Sequence, residues 1–122
     1  MTIPHVSSVT VEQLPTDFVS VPTSADTPRP ILLDVRELEE WELGHAPGAL
    51  HIPMVDIPLR IDELDYDREV YVVCRHGGRS VRVVEYLVHI GYEAVQVGGG
   101  MVAWQRAGRP LVAEGDVEAK IY

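Results

Sequence analysis

The sequence predicts an α/β fold in which a mostly parallel central sheet is flanked by helices on both faces, and two observations carry that expectation. Short apolar runs rich in branched residues alternate along the chain with stretches that favour helix. The longer of these runs are apolar at consecutive positions, as strands buried on both faces require, and strand-helix-strand units place successive strands parallel. At 122 residues the chain is within the size of one domain and can bury a core without metal or disulfide staples. We therefore expect a single domain over residues 1–122, with no internal repeat.

Taken in order, residues 6–9 read as a first strand, and Thr10 with Gln13 forms a capping box that opens a short helix ended by Pro15. Residues 16–30 mix Pro, Thr, Ser and Asp without apolar periodicity and read as a surface loop. Residues 31–35 are a strand, residues 37–43 a helix stopped at Gly44, and residues 49–52 a brief strand. A short helix over 54–61 and a strongly apolar strand over 69–74 follow. From Arg79 onward Val81, Val84, Leu87 and Val88 recur at helical spacing, and Gly91 is placed to cap that helix. Residues 95–97 make the last strand, and residues 101–107 close the series as a helix before Gly108-Arg109-Pro110.

Composition excludes several function classes. A formal net charge of -9 argues against general nucleic-acid binding, which needs Lys and Arg to neutralise phosphates. The acidic groups gather at Glu37, Glu39, Glu40 and Glu42 and again from Asp62 to Glu69, which we read as solvated faces. No stretch approaches the roughly 18 apolar residues of a membrane span, and residues 1–10 lack the basic-then-apolar pattern of a signal peptide. One cysteine permits no internal disulfide, so a reducing, cytoplasmic setting is expected.

That cysteine is the chemical focus. In parallel α/β sheets ligands bind beyond the carboxyl ends of the strands. Cys74-Arg75-His76-Gly77-Gly78-Arg79-Ser80 leaves an apolar strand there and enters an amphipathic helix. The glycines permit backbone conformations that let successive N–H groups converge, and the helix start adds free N–H groups and a positive dipole end. Arg75 and Arg79 add full charges, and each of these terms favours thiolate over thiol. A lone cysteine ending a strand is more often a small buried hydrophobe, but such a residue has no use for this surrounding constellation.

The segment resembles the active-site loop of the rhodanese family, whose pattern is close to C-R-x-G-x-R-S. The resemblance extends upstream to Leu33-Asp34-Val35-Arg36-Glu37 and Gly44-His45-Ala46-Pro47-Gly48-Ala49 with Ile52-Pro53. Downstream it reaches Gly98-Gly99-Gly100-Met101-Val102-Ala103-Trp104 and Ala107-Gly108-Arg109-Pro110. It covers a core of about residues 31–111 and leaves out the 16–30 loop and a 112–122 tail. It implies a single rhodanese-like domain that works without a cofactor as a thiosulfate sulfurtransferase. Cys74 would take a sulfane sulfur from a small donor, thiosulfate or a persulfide, and pass it to cyanide, a thiol or a protein acceptor. Arg75, His76, Gly77, Gly78, Arg79 and Ser80 would surround the substrate, with the arginines facing an anionic donor.

The remaining candidates are weighed as support. Asp34 is expected to orient loop backbone or pair with an arginine, and Arg36 to pair with Glu37 or Glu40 on the following helix. His45 and His51 are expected to bond local backbone, and His76 to sit at the loop tip. Trp41 and Trp104 read as core residues, with Trp104 also a candidate wall of the pocket. Cys74, His76, His45 and His51 lack the spacing of a usual zinc site, and metal would block the thiolate, so no metal is expected. Two rivals stand beside the transferase. A cysteine phosphatase or arsenate reductase uses a similar cysteine-to-arginine loop, but one residue longer than the four between Cys74 and Arg79. A regulatory binding module of the same fold is the other, although inactive copies usually lose the cysteine.

Overall fold

The computed structural model describes residues 6–15, 18, 29–115 and 117–122, so most of the expected 16–30 loop lies outside the described residues. One sheet runs through the molecule, built from β1 (Ser8–Val9), β2 (Ile31–Asp34), β3 (Leu50–His51), β4 (Val70–Val73) and β5 (Ala94–Val97). The spatial order is β1-β5-β4-β2-β3, and every pairing is parallel. Among the described residues three helices accompany it, α1 (Leu38–Leu43), α2 (Gly78–His89) and α3 (Gly100–Arg106), together with 3-10 turns at Val11–Gln13, Met54–Asp56 and Ile61–Glu63. The α/β class expected from the sequence is thus the one observed.

The strands show why their runs are apolar at consecutive positions. Along β2 and just beyond it Ile31, Leu33 and Val35 enter one core cluster while Leu32 enters another, and along β4 Val70 and Val72 part from Val73 in the same way. Successive side chains point to opposite faces of a sheet, so two cores require an apolar residue at every position. One core lies beneath α2 and includes Val83, Val84 and Leu87; the other includes Met101 and Trp104 of α3 and Val11 of the first 3-10 turn. Fully burying each such side chain contributes roughly 1.5–3 kcal/mol, which anchors β4 in the middle of the sheet.

Two local expectations are corrected, and a third residue does more than expected. The buried face of α2 is Ser80, Val83, Val84 and Leu87, whereas Val88 is 54% exposed; the stripe starts from Ser80 at the helix's first turn, one residue before Val81. In place of one helix over 54–61 there are two 3-10 turns, because Pro58 has no N–H for the Met54 carbonyl, which instead accepts from Ile57 at 3.3 Å. Gly44 ends α1 in extended backbone, φ 173, and its small size serves another purpose. The tail crosses there, and a Cβ at Gly44 would stand 2.5 Å from the Lys120 carbonyl oxygen.

That tail is bonded along its path. Val112 pairs antiparallel with His45, the Glu114 N–H donates to the Glu42 carbonyl at 3.1 Å, and the Lys120 N–H donates to Leu43 at 3.0 Å. Ile121 joins the α3-side core, with its N–H on Gln105 Oε1 at 2.9 Å.

Candidate active site

Cys74 directly follows β4, the central strand, and belongs with Val70 and Val72 to the face covered by α2. Its side chain is buried at 1% exposure. The Ser80 backbone N–H donates to Sγ at 3.4 Å, and the thiol itself donates to Ser80 Oγ at 3.5 Å. The Ser80 hydroxyl in turn donates to the Gly77 carbonyl at 3.0 Å. Removing the thiol proton takes away one of these bonds and leaves a hydroxyl able to rotate towards the sulfur. Sγ therefore sits against the first turn of α2, at the positive end of its dipole.

The loop takes its shape from two contacts with the end of the sheet. Gly77 has φ +142, a region closed to residues with a side chain, and caps α2. Its carbonyl accepts from Gln96 Nε2 of β5 at 3.2 Å and from the Val81 N–H at 3.1 Å as well as from Ser80. Gln96 was not among the residues singled out by sequence, since a glutamine in a strand carries no motif. At the loop's base the N–H groups of Met101 and Val102 hold the Cys74 and Arg75 carbonyls at 2.8 and 3.1 Å. Gly100, at φ +60, allows that approach: a Cβ there would lie 2.4 Å from both carbonyl oxygens. Among the described residues the N–H groups of Arg75, His76, Gly77 and Gly78 donate to no backbone carbonyl, and Gly78 is exposed with open space beside it.

The charged groups are arranged differently from the simplest expectation. Arg79 gives its guanidinium fork to Glu40 of α1, Nη1 to Oε1 at 2.5 Å and Nη2 to Oε2 at 3.0 Å. That bond keeps the Arg79 pKa above its ordinary value against the effect of burial, with smaller attractions to Glu40's charge, Cys74 and Glu37. Arg75 turns to the tail, where its Nε donates to the Tyr122 carbonyl and its Nη1 contacts Nε2 of the exposed His76.

Behind the loop, Asp34 and Arg36 form a fully buried pair. Arg36 Nε reaches Oδ1 at 3.0 Å and Oδ2 at 3.1 Å, and Nη2 reaches Oδ2 at 2.7 Å. The partner of Arg36 is thus Asp34, not the expected carboxylates of Glu37 or Glu40; buried so close to the strand end, its fork meets the nearer carboxylate first. Nη2 also donates to the Gly44 carbonyl at 2.8 Å and Nη1 to the Glu40 carbonyl at 3.4 Å, fixing α1 and hence Glu40. His45 and His51 bond the carbonyls of Trp41 and Arg36, each at 2.7 Å, and stack on the Trp41 ring at 3.6 and 4.7 Å. Both histidines serve local structure. Trp104 is 3% exposed in the α3-side core, with its indole N–H on the Pro110 carbonyl at 2.8 Å, on the opposite face of the sheet from Sγ. Among the described residues no group of three or more His, Cys, Asp or Glu side chains is placed to hold a metal ion, and no helix is long and apolar enough to cross a membrane.

Comparison with known proteins places the chain in a family. The putative sulfurtransferase YtwF of Bacillus subtilis is 47% identical over 79 residues, which cover 65% of this chain and 77% of that protein. A sulfurtransferase of Allochromatium vinosum is 43% identical over 90 residues, 73% of this chain and 84% of the other. The crystal structure of a rhodanese-like domain protein from Staphylococcus aureus superposes with a TM-score of 0.65 at 33% identity, covering 94% of this chain and 99% of that one. Residues 21–107 match the model of the rhodanese-like domain, and the chain belongs to that family.

Proposed function

We propose that this chain is a single-domain sulfurtransferase that carries sulfur as a persulfide on Cys74. The observation that carries the reading is the setting of Sγ, buried at the end of the central strand, held by the Ser80 N–H and faced by a hydroxyl and the start of α2. An outer sulfur bound to Sγ extends towards the N–H groups of the loop, where its negative charge meets backbone donors.

The reaction proceeds in two displacements. With thiosulfate as donor, the Cys74 thiolate attacks the sulfane sulfur, the new S–S bond forms as the S–SO3 bond breaks, and the electron pair leaves with sulfite. The persulfide outer sulfur is then attacked by cyanide or a thiolate, and Sγ departs as the thiolate. No cofactor and no net oxidation are needed, which suits a reducing, cytoplasmic setting. Arg79, Arg75, His76, Gly77, Gly78 and Ser80 line the approach, while Asp34 and Arg36 support it from behind. Relatives carrying the name sulfurtransferase support the same assignment.

A sulfur-transfer assay with thiosulfate and cyanide tests this: the protein should form thiocyanate, and Cys74→Ser should abolish turnover while keeping the native far-ultraviolet circular dichroism. Thiocyanate formed by the variant at the parent rate would overturn the assignment. Absence of turnover with any donor would favour a binding module.

A further inference from the structure

Both arginines of the loop are engaged within the protein itself. Arg79 makes a two-pronged bond to Glu40 at 2.5 and 3.0 Å, with the pair's side chains only 30% and 27% exposed. Arg75 is held by the Tyr122 carbonyl and His76. The paired fork has the two parallel N–H groups of its outer edge taken and much of its charge offset, so a dianion that needs that edge must displace a carboxylate or do without it. The surroundings reinforce this. Glu39 and Glu40 line a cleft together with Arg36, Leu43 and Tyr122 beside the loop, and Glu37 also acts on Arg79. Glu40 is held in place twice over, because its Oε1 accepts the Glu37 N–H at 3.0 Å in the capping box of α1 while the buried Arg36 fixes the Glu40 backbone carbonyl.

We propose that Glu40 is a specificity-determining residue: by occupying the Arg79 fork it withholds the loop's charge from a dianionic donor such as thiosulfate and makes a hydropersulfide, R–S–SH, the preferred donor. The inference rests on the reading of Cys74 as the sulfur carrier. A hydropersulfide needs no cation in the site. The Cys74 thiolate attacks the outer sulfur, the bond between Sγ and that sulfur forms as the R–S to S bond breaks, and R–S⁻ leaves with the electron pair. The outer sulfur, with its proton, stays on Cys74, so atoms and charge balance without an oxidant. The Ser80 N–H and the free loop N–H groups are the only groups that must recognise the transferred atom.

The test compares wild type, Glu40→Gln and Glu39→Gln with two donors, thiosulfate and the hydropersulfide of 2-mercaptoethanol, whose R group is uncharged. Sulfur loading of Cys74 is followed by quenched intact-mass measurement to give kcat/KM for each donor. The glutamine amide oxygen can still accept the Glu37 N–H, so α1 keeps its cap, and the urea midpoint checks that the fold is intact. Wild type should favour the hydropersulfide. Glu40→Gln should raise kcat/KM for thiosulfate about tenfold, chiefly through KM, as expected for one charge-assisted hydrogen bond made available to the donor. The hydropersulfide value should change far less. Glu39→Gln, which alters net charge equally, should leave the ratio of the two donors within about twofold, since Glu39 does not touch Arg79; Glu40→Ala should move it in the same direction as Glu40→Gln. A wild-type preference for thiosulfate, an unchanged ratio in Glu40→Gln, or a selective loss with thiosulfate would overturn the proposal, the last showing that Glu40 aims Arg79 at the donor. If wild type loads sulfur from neither donor, or Cys74→Ser loads it equally, the carrier reading itself fails.

Discussion

Replacing Gly100 with alanine should damage the active-site loop from outside it. The residue has φ +60, and the added Cβ would stand 2.4 Å from the carbonyl oxygens of Cys74 and Arg75. An ordinary contact is about an ångström longer, and neither obstacle is a side-chain end that can swing away. The left-handed backbone costs a residue with a Cβ roughly 1–2 kcal/mol. Relief of the clash requires the start of α3 to move off the loop, stretching the Met101 and Val102 bonds of 2.8 and 3.1 Å, worth roughly 0.5–1.5 kcal/mol each. The sum is about 2–5 kcal/mol. Gly108 provides an internal control, because it shares positive φ at +74 but a Cβ there meets nothing within 4 Å. Urea unfolding should therefore show Gly108→Ala losing only the backbone cost of roughly 1–2 kcal/mol, with Gly100→Ala losing distinctly more and loading sulfur more slowly. Equal losses for the two variants would refute the claim that contact with the loop is what demands glycine at position 100.

Three other perturbations follow from the same geometry. Arg36→Met strands the Asp34 carboxylate, 0% exposed, and should cost about 3–5 kcal/mol in urea unfolding, with part recovered on adding Asp34→Asn; a cost below about 1 kcal/mol would contradict the buried pair. Glu40 has its pKa held below the ordinary carboxylate value by its hydrogen bond to Arg79, so its contribution to stability is present above that ordinary value and lost as pH falls through the lower folded pKa. Wild type should thus lose urea resistance in acid more steeply than Glu40→Gln, and parallel curves would argue against the ion pair. Inserting a glycine between His76 and Gly77 should widen the ring of N–H groups, lowering sulfur loading while raising phosphate affinity measured by calorimetry; a parent that already binds phosphate as tightly and hydrolyses a small phosphoester would restore the phosphatase reading.

How much of this was visible in the chain depends on how local the cause is. β2 and β4 were legible because their residues must be apolar on both faces, and the loop was legible because its cysteine, glycines and arginines are contiguous. The apolar spacing of α2 places its stripe one residue too late, because the first buried member is Ser80, a polar residue whose burial is explained only by its bonds to Sγ and Gly77. The apolar spacing around Pro58 suits a helix and a pair of 3-10 turns alike, and only the proline's missing N–H separates them. Glu40 and Arg79 are 39 positions apart, and no spacing rule joins them. The path of the tail was equally hidden: it holds on by backbone bonds and Ile121, and the one hint, Gly44, is also what the end of a helix would produce.

The central claim, that Cys74 carries the sulfur, is tested most directly by intact mass spectrometry of the protein after exposure to a sulfane donor and desalting. Wild type should gain the mass of one sulfur atom and lose it again on addition of cyanide or excess thiol, and Cys74→Ser should gain nothing. A gain of the same size in Cys74→Ser, or an added sulfur that resists cyanide and thiol alike, would contradict the account.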